Sequence, residues 1–187
     1  MARRVGVFGG TFDPVHVGHL VAALEARDAL SLDVVLIVVA NEPWQKVGQR
    51  AVTPAEDRYA MVEAAVVDVD GLEPSRIEID RGGPSYTADT VAALAGADVE
   101  LFLIVGADVD LNTWARGDEV RRQAQVVVVA RGGTTPAPGT TVVEMPALDI
   151  SASDLRRRLA EGRPVDFLIP APTLRVIRQR GLYAGTG

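Results

Sequence analysis

Cysteine is absent from the 187 residues. That excludes a disulfide scaffold, a thiolate nucleophile and any zinc or iron–sulfur centre held by thiolates. Positive charge is also in short supply, with 19 Lys and Arg against 25 Asp and Glu and a formal net charge of −6. Such a balance argues against non-specific nucleic-acid binding, which depends on a basic surface neutralising phosphates. Long apolar runs are missing: the longest, Val34–Ala40, falls far short of a bilayer span. Arg3 and Arg4 precede only Val5–Phe8 before a glycine pair, too little for a signal-peptide core. A cytoplasmic protein with neither membrane nor nucleic-acid partner is therefore expected, with a homo-oligomer left open. Lysine occurs once, as Lys46, and histidine only as His16 and His19.

What is present has ordinary globular proportions, 48% hydrophobic and 24% charged, which excludes a disordered or fibrous chain. The length suits a single domain over residues 1–187. Strand-like and helix-like segments alternate. Val5–Gly9, Asp33–Ala40, Glu100–Val105 and Gln125–Ala130 read as buried strands, Arg76–Asp80 as a short alternating strand and Thr140–Glu144 as an edge strand. Val17–Leu30 is a predicted helix anchored by Leu20, Leu24 and Leu30. Thr53-Pro54-Ala55-Glu56 matches a capping box with Pro at the first helical position, opening a helix to about Val67. Thr87 is placed to cap a helix ending near Gly96. Ser151 opens Leu155–Glu161, stopped by Gly162, and Thr173–Arg180 is stopped by Gly181. Gly82–Ser85 reads as a turn, Asn41–Val52 and Gly132–Thr141 as loops. Strands separated by helices predict a Rossmann-like α/β fold: a three-layer sandwich with a mostly parallel sheet and helices on both faces.

In such a sheet the ligand crevice lies beyond the carboxyl ends of the strands where strand order reverses. With order 3-2-1-4-5, the segments leaving the first and fourth strands flank it, here Gly9–His19 and Gly106–Trp114. The first is neither a Walker A loop nor a G-x-G-x-x-G fingerprint. It still has the parts of a phosphate site: glycines that admit a ligand to the backbone, then a helix start with free N–H groups. His16 and His19, three apart, project to one side and suit hydrogen bonding to phosphate oxygens as charge builds in a transition state. A zinc pair is the competing reading, but zinc would need further ligands beyond Asp13.

Gly9-Gly10-Thr11-Phe12-Asp13-Pro14-Val15-His16 with Gly18-His19 resembles the signature of the T/HxGH nucleotidyltransferases, and in particular the bacterial nicotinate-nucleotide adenylyltransferases. Three further segments are similar to elements of that family. They are Ser85-Tyr86-Thr87-Ala88-Asp89-Thr90, Val105-Gly106-Ala107-Asp108 with Trp114 behind it, and Ile150-Ser151-Ala152-Ser153-Asp154-Leu155-Arg156. The resemblance implies adenylyl transfer from ATP to nicotinic acid mononucleotide, with Mg²⁺ bridging phosphates and no metal ligands from protein side chains.

It further implies that His16, His19 and Arg156 are catalytic. Gly9, Gly10, Thr11, Phe12 and Gly18 would lie along the ATP phosphates, Gly106 and Asp108 near its ribose, and Ser151 and Ser153 at the β and γ phosphates. Lys46, Tyr86, Thr87 and Trp114 would hold the mononucleotide, Trp114 by stacking and the start of the Thr87 helix by reading the carboxylate. Trp44 carries no expectation beyond loop packing, and Arg157 and Arg158 are read equally as a solvated face. Two departures stand out: Asn41-Glu42-Pro43-Trp44-Gln45-Lys46 differs from the commoner NPPHK-like loop, and Ala152 replaces a hydroxyl residue. A phosphopantetheine-type nucleotidyltransferase and a non-catalytic nucleotide-sensing module are the alternatives.

Overall fold

The computed structural model describes residues 2–43, 51–107, 109, 114, 116–131 and 140–184. Among them the chain runs β1 (Arg3–Gly10), α1 (Val17–Ala29), β2 (Val34–Val39), α2 (Ala55–Val66), β3 (Leu72–Ser75), α3 (Ile77–Arg81), α4 (Thr87–Leu94) and β4 (Val99–Gly106). It continues through α5 (Gly117–Gln123), β5 (Ala124–Arg131), β6 (Thr141–Met145), α6 (Ala152–Ala160) and α7 (Ala171–Gln179). The six strands form one sheet in the order β3-β2-β1-β4-β5-β6. Every neighbouring pair is parallel. This is the expected Rossmann-like arrangement, with β6 at an edge.

Both sheet faces are covered, which is why the strands are continuously apolar. Successive side chains alternate between two cores. Val35, Ile37 and Val39 of β2 and Phe102 and Ile104 of β4 pack with α1, α2, α6 and α7 on one face. Val34, Val38, Leu101, Leu103 and Val105 pack with α4 and α5 on the other. Among the described residues no helix is long and apolar enough to cross a membrane.

Several local expectations are corrected. Arg76–Asp80 is not a strand; β3 precedes it, and Arg76 heads α3, where its Nε bonds Asp80 Oδ1 at 2.8 Å one turn on. Ile77 and Ile79 accordingly pack into different cores rather than onto one strand face. Leu24 does not anchor α1: it is 38% exposed, and the helix lies on the sheet through Ala22, Ala23 and Ala26. Thr53 does not cap α2, whose N-cap is Pro54. The Thr53 carbonyl accepts from Arg58 Nε at 2.7 Å and its side chain bonds Tyr183. Tyr86, not Thr87, is the N-cap of α4, which ends at Leu94. Pro170 heads α7, while Thr173 is buried and donates to the Met61 carbonyl. Ser151 does cap α6, its Oγ accepting from the Asp154 N–H at 3.2 Å. Gly162 and Gly181 follow their helices at positive φ, as the stop signals require.

Candidate active site

The chain turns outward to opposite sides after β1 and β4, so their carboxyl ends open a crevice between them. A cavity of about 1050 Å³ occupies that position. Its wall includes Gly9, Gly10, Thr11, Phe12, His16, Gly18 and His19 from the first connection, and Gly106 and Trp114 from the fourth. Tyr86 and Thr87 come from the head of α4, and Ser151 and Ala152 from the head of α6. Ser153 and Arg156 are not part of that lining. Lys46, Trp44 and Asp108 lie outside the described residues, as does most of the 132–141 loop.

The turn after β1 is built by packing. Phe12, at φ 48°, folds its buried ring back over Gly10, where a Cβ would sit 2.7 Å from that ring. The ring meets Phe8 edge-on at 5.8 Å and His19 at 5.0 Å. His16 caps α1 and is 5% exposed, with its imidazole stacked on that of His19 at 3.7 Å. Gly18 makes room for this pair, because a Cβ there would lie 3.2 Å from Cε1 and Nδ1 of His16. The His16 N–H donates to His19 Nδ1 at 3.2 Å. An acceptor nitrogen must keep its lone pair, so in the neutral ring the His19 proton resides on Nε2. Gly9 is bare toward the cavity, with nothing within 4 Å of where a Cβ would be.

Asp13 is the buried node beneath this turn, at 2% exposure. Its carbonyl accepts from Arg156 Nη1 at 2.7 Å, and its Oδ1 accepts from the Tyr183 hydroxyl at 2.7 Å. Burial pushes the Tyr183 phenol well above its ordinary range, and the Asp13 carboxylate adds to the rise. Arg156 Nη2 also donates to Ser153 Oγ at 3.0 Å, which joins the head of α6 to the β1 turn. On α6, hydrogen bonding from Arg158, aided by Arg157, holds the Asp154 carboxyl below its usual range.

At the other end of the cavity, Tyr86 is 38% exposed and Thr87 begins α4, both lining the wall. Ser85 also borders the cavity, and its Oγ accepts from the Asn41 N–H at 2.8 Å. Trp114 is half-buried against the second core and presents part of its surface to the cavity.

Three features were not foreseen. Glu78 and Thr90 are buried in the wall beside Tyr86, with Thr90 Oγ1 donating to Glu78 Oε1 at 2.5 Å and accepting from Arg81. Tyr183 arrives from 170 residues away, with no local pattern to announce it. Arg58 is 1% exposed. Its signal was present, since Arg58, Met61, Val62 and Ala65 share one helical stripe that is otherwise apolar.

Glycines at a switch point, a paired-imidazole helix head and a second helix head with Ser and Arg define a nucleotide-handling transferase. Residues 7–158 match the model of the family described as Cytidylyltransferase-like. A protein named probable nicotinate-nucleotide adenylyltransferase in Streptomyces coelicolor is 46% identical over 187 residues, covering 95% of this chain and 99% of the relative. One of the same name in Frankia alni is 45% identical over 186 residues, covering 94% and 97%. The solved nicotinic acid mononucleotide adenylyltransferase of Plasmodium falciparum, complexed with NaAD, shares the fold with a TM-score of 0.80 over 97% of each chain, at 17% identity. The chain belongs to the nicotinate-nucleotide adenylyltransferase family.

Proposed function

We propose that the crevice transfers the adenylyl group of ATP to nicotinic acid mononucleotide, giving nicotinic acid adenine dinucleotide and pyrophosphate in NAD biosynthesis. The observation that carries the reading is the His16–His19 pair, stacked at 3.7 Å at the head of α1 and fixed at the switch point by the His16 N–H to His19 Nδ1 bond. A phosphate oxygen of the mononucleotide attacks the ATP α-phosphorus in line. The bond from that phosphorus to the bridging oxygen breaks, and pyrophosphate leaves with the electron pair. The attacking monoester is already anionic, so no general base is required. Catalysis is then positioning plus charge stabilisation.

In this reading His19 donates to the α-phosphate oxygens, with His16 stacked beside it. Gly9, Gly10, Thr11 and Gly18 let the triphosphate approach the backbone, while the buried Phe12 shapes the turn. Ser151, Ser153 and Arg156 receive the β and γ phosphates at the head of α6. Gly106 and Asp108 flank the ATP ribose, and Lys46 serves the mononucleotide. Trp114 stacks on the pyridine ring, and the N–H groups of Tyr86 and Thr87 read its carboxylate, which favours the acid over the amide. Mg²⁺ would enter on the ATP phosphates and neutralise part of their charge. Two carboxylates of the wall, Asp13 and Glu78, are already bonded to Tyr183 and Thr90, which suits a cation carried by the substrate. The 187 residues act as one nucleotidyltransferase domain in the cytoplasm, with the helices after residue 151 completing the ATP site.

The test is pyrophosphate release from ATP with each acceptor. Release with nicotinic acid mononucleotide and none with phosphopantetheine is expected. Release with phosphopantetheine alone, or with neither, overturns the proposal.

A further inference from the structure

Arg58 is a full positive charge sunk to 1% exposure within α2, and it lines no part of the cavity. Its guanidinium is spent on backbone carbonyls from three places. Nε donates to Thr53 at 2.7 Å, ahead of α2. Nη1 donates to Thr11 at 2.9 Å, just past β1, and to Ala40 at 2.6 Å. Nη2 donates to Asn41 at 2.9 Å, just past β2. Burying a charge is tolerated when its donors are satisfied, and a planar fork of five N–H groups suits several acceptors at fixed angles.

The network continues beyond the guanidinium. The Asn41 N–H donates to Ser85 Oγ at 2.8 Å, and Asn41 Nδ2 donates to the Gly83 carbonyl at 3.0 Å. The Ser85 N–H returns a bond to the Glu42 carbonyl at 3.0 Å. Ser85 immediately precedes Tyr86, the N-cap of α4. One hydrogen-bonded line therefore runs from Thr11, at the phosphate end of the crevice, through Arg58 and Asn41 to the head of α4.

We infer that Arg58 is a positioning residue that sets the spacing between the two substrate ends of the crevice. The inference rests on the adenylyl-transfer reading above, because only a two-substrate reaction needs that spacing held. In-line attack is sensitive to it: a displacement of about 1 Å between reacting groups costs about 100-fold in rate. Lysine at this position keeps the charge but replaces the fork with one compact ammonium, which cannot satisfy four carbonyls in three directions.

The experiment compares the parent with Arg58→Lys, Arg58→Met and Ser85→Ala, per folded molecule, with kcat and both KM values measured separately. Arg58→Met is expected to lower kcat/KM by about 100-fold and Arg58→Lys by about 10-fold. The KM for the mononucleotide should rise in Ser85→Ala too, and that loss should be less than additive with Arg58→Lys. Amide hydrogen exchange without substrate is the second readout. In Arg58→Lys it should quicken at residues 10–13 and 85–88 while the β4 and β5 amides keep their protection. A lowered melting temperature with unchanged kcat, KM and local exchange overturns the inference and leaves Arg58 a merely stabilising residue. Should Arg58→Met not fold, Arg58→Lys and Ser85→Ala still decide it. Parent protein that releases no pyrophosphate sinks the adenylyl-transfer reading, and with it this role, whereas a fully active parent with indifferent variants sinks the role alone.

Discussion

The turn after β1 and the head of α6 both border the crevice, yet they are built in opposite ways. Phe12, Asp13, Val15 and His16 are each no more than 5% exposed, and the turn is tied from behind by Arg58, Arg156 and Tyr183. Ser151 and Ser153 on α6 are exposed, and Leu155 is the buried residue of that helix. Apart from Arg156, which ties back to the β1 turn, its charges form surface pairs from Asp154 to Arg157 and Arg158, which contribute little to stability. The contrast matches two tasks in the proposed reaction. A donor at the transferring phosphorus gains from a fixed position. Side chains receiving a departing diphosphate gain from reach and hydration.

The hardest blow to this contrast comes from His19→Ala. If the β1 turn is the catalytic wall, kcat falls by about 10²–10³, the range for one preorganised donor, while thermal unfolding barely moves. Near-parent turnover would remove the turn from the chemistry. Gly18→Ala is subtler. Alanine suits a helix better than glycine by about 1 kcal/mol, yet its methyl presses on the His16 ring. Activity should drop by about tenfold while the melting temperature holds or rises. A parallel fall in both would mean that Gly18 serves the fold and not the imidazole pair.

Tyr183→Phe removes one hydroxyl from beneath the turn and should cost about 1–2 kcal/mol in urea unfolding, with Asp13 left short of a donor. The sign of its pH dependence is fixed. A phenol raised above its unfolded value contributes fully below about pH 10 and loses that contribution as pH climbs further. The parent and Tyr183→Phe should therefore differ most below that point and converge above it. Smallest is Asp154→Asn on the α6 side. A depressed carboxyl contributes above its ordinary value and loses the contribution as pH falls through the lower folded one. A slight difference at neutral pH that vanishes in acid is expected, and an effect rivalling Tyr183→Phe would erase the distinction between the two walls.

Sequence patterning reached the sheet and its switch point because β2 and β5 are apolar runs rich in β-branched residues between helical segments. It missed β3, since Leu-Glu-Pro-Ser carries neither alternation nor a run. It missed α5 because only Val120 on that helix is buried. Tyr86, Thr87, Trp114 and Ser151 were legible as neighbours of the histidines through the family resemblance of their segments, and all four border the one crevice. Tyr183 was not, for it acts on a carboxylate 170 residues away, where no spacing rule applies, and Arg58 was legible only as a charge in an apolar stripe, not by the carbonyls it holds. The Leu24 error has a related cause: spacing identifies a stripe, but alanines let a helix approach a sheet more closely than leucines do.

The Asp13–Tyr183 bond also bears on how the molecule assembles. Central β1 pairs with β4, so Arg3 waits for Val99, and Asp13 waits longer still for Tyr183. During synthesis the turn that holds the histidines would emerge early and acquire its last anchor late. Ribosome-bound chains would carry the motif without its finished shape until Tyr183 has emerged.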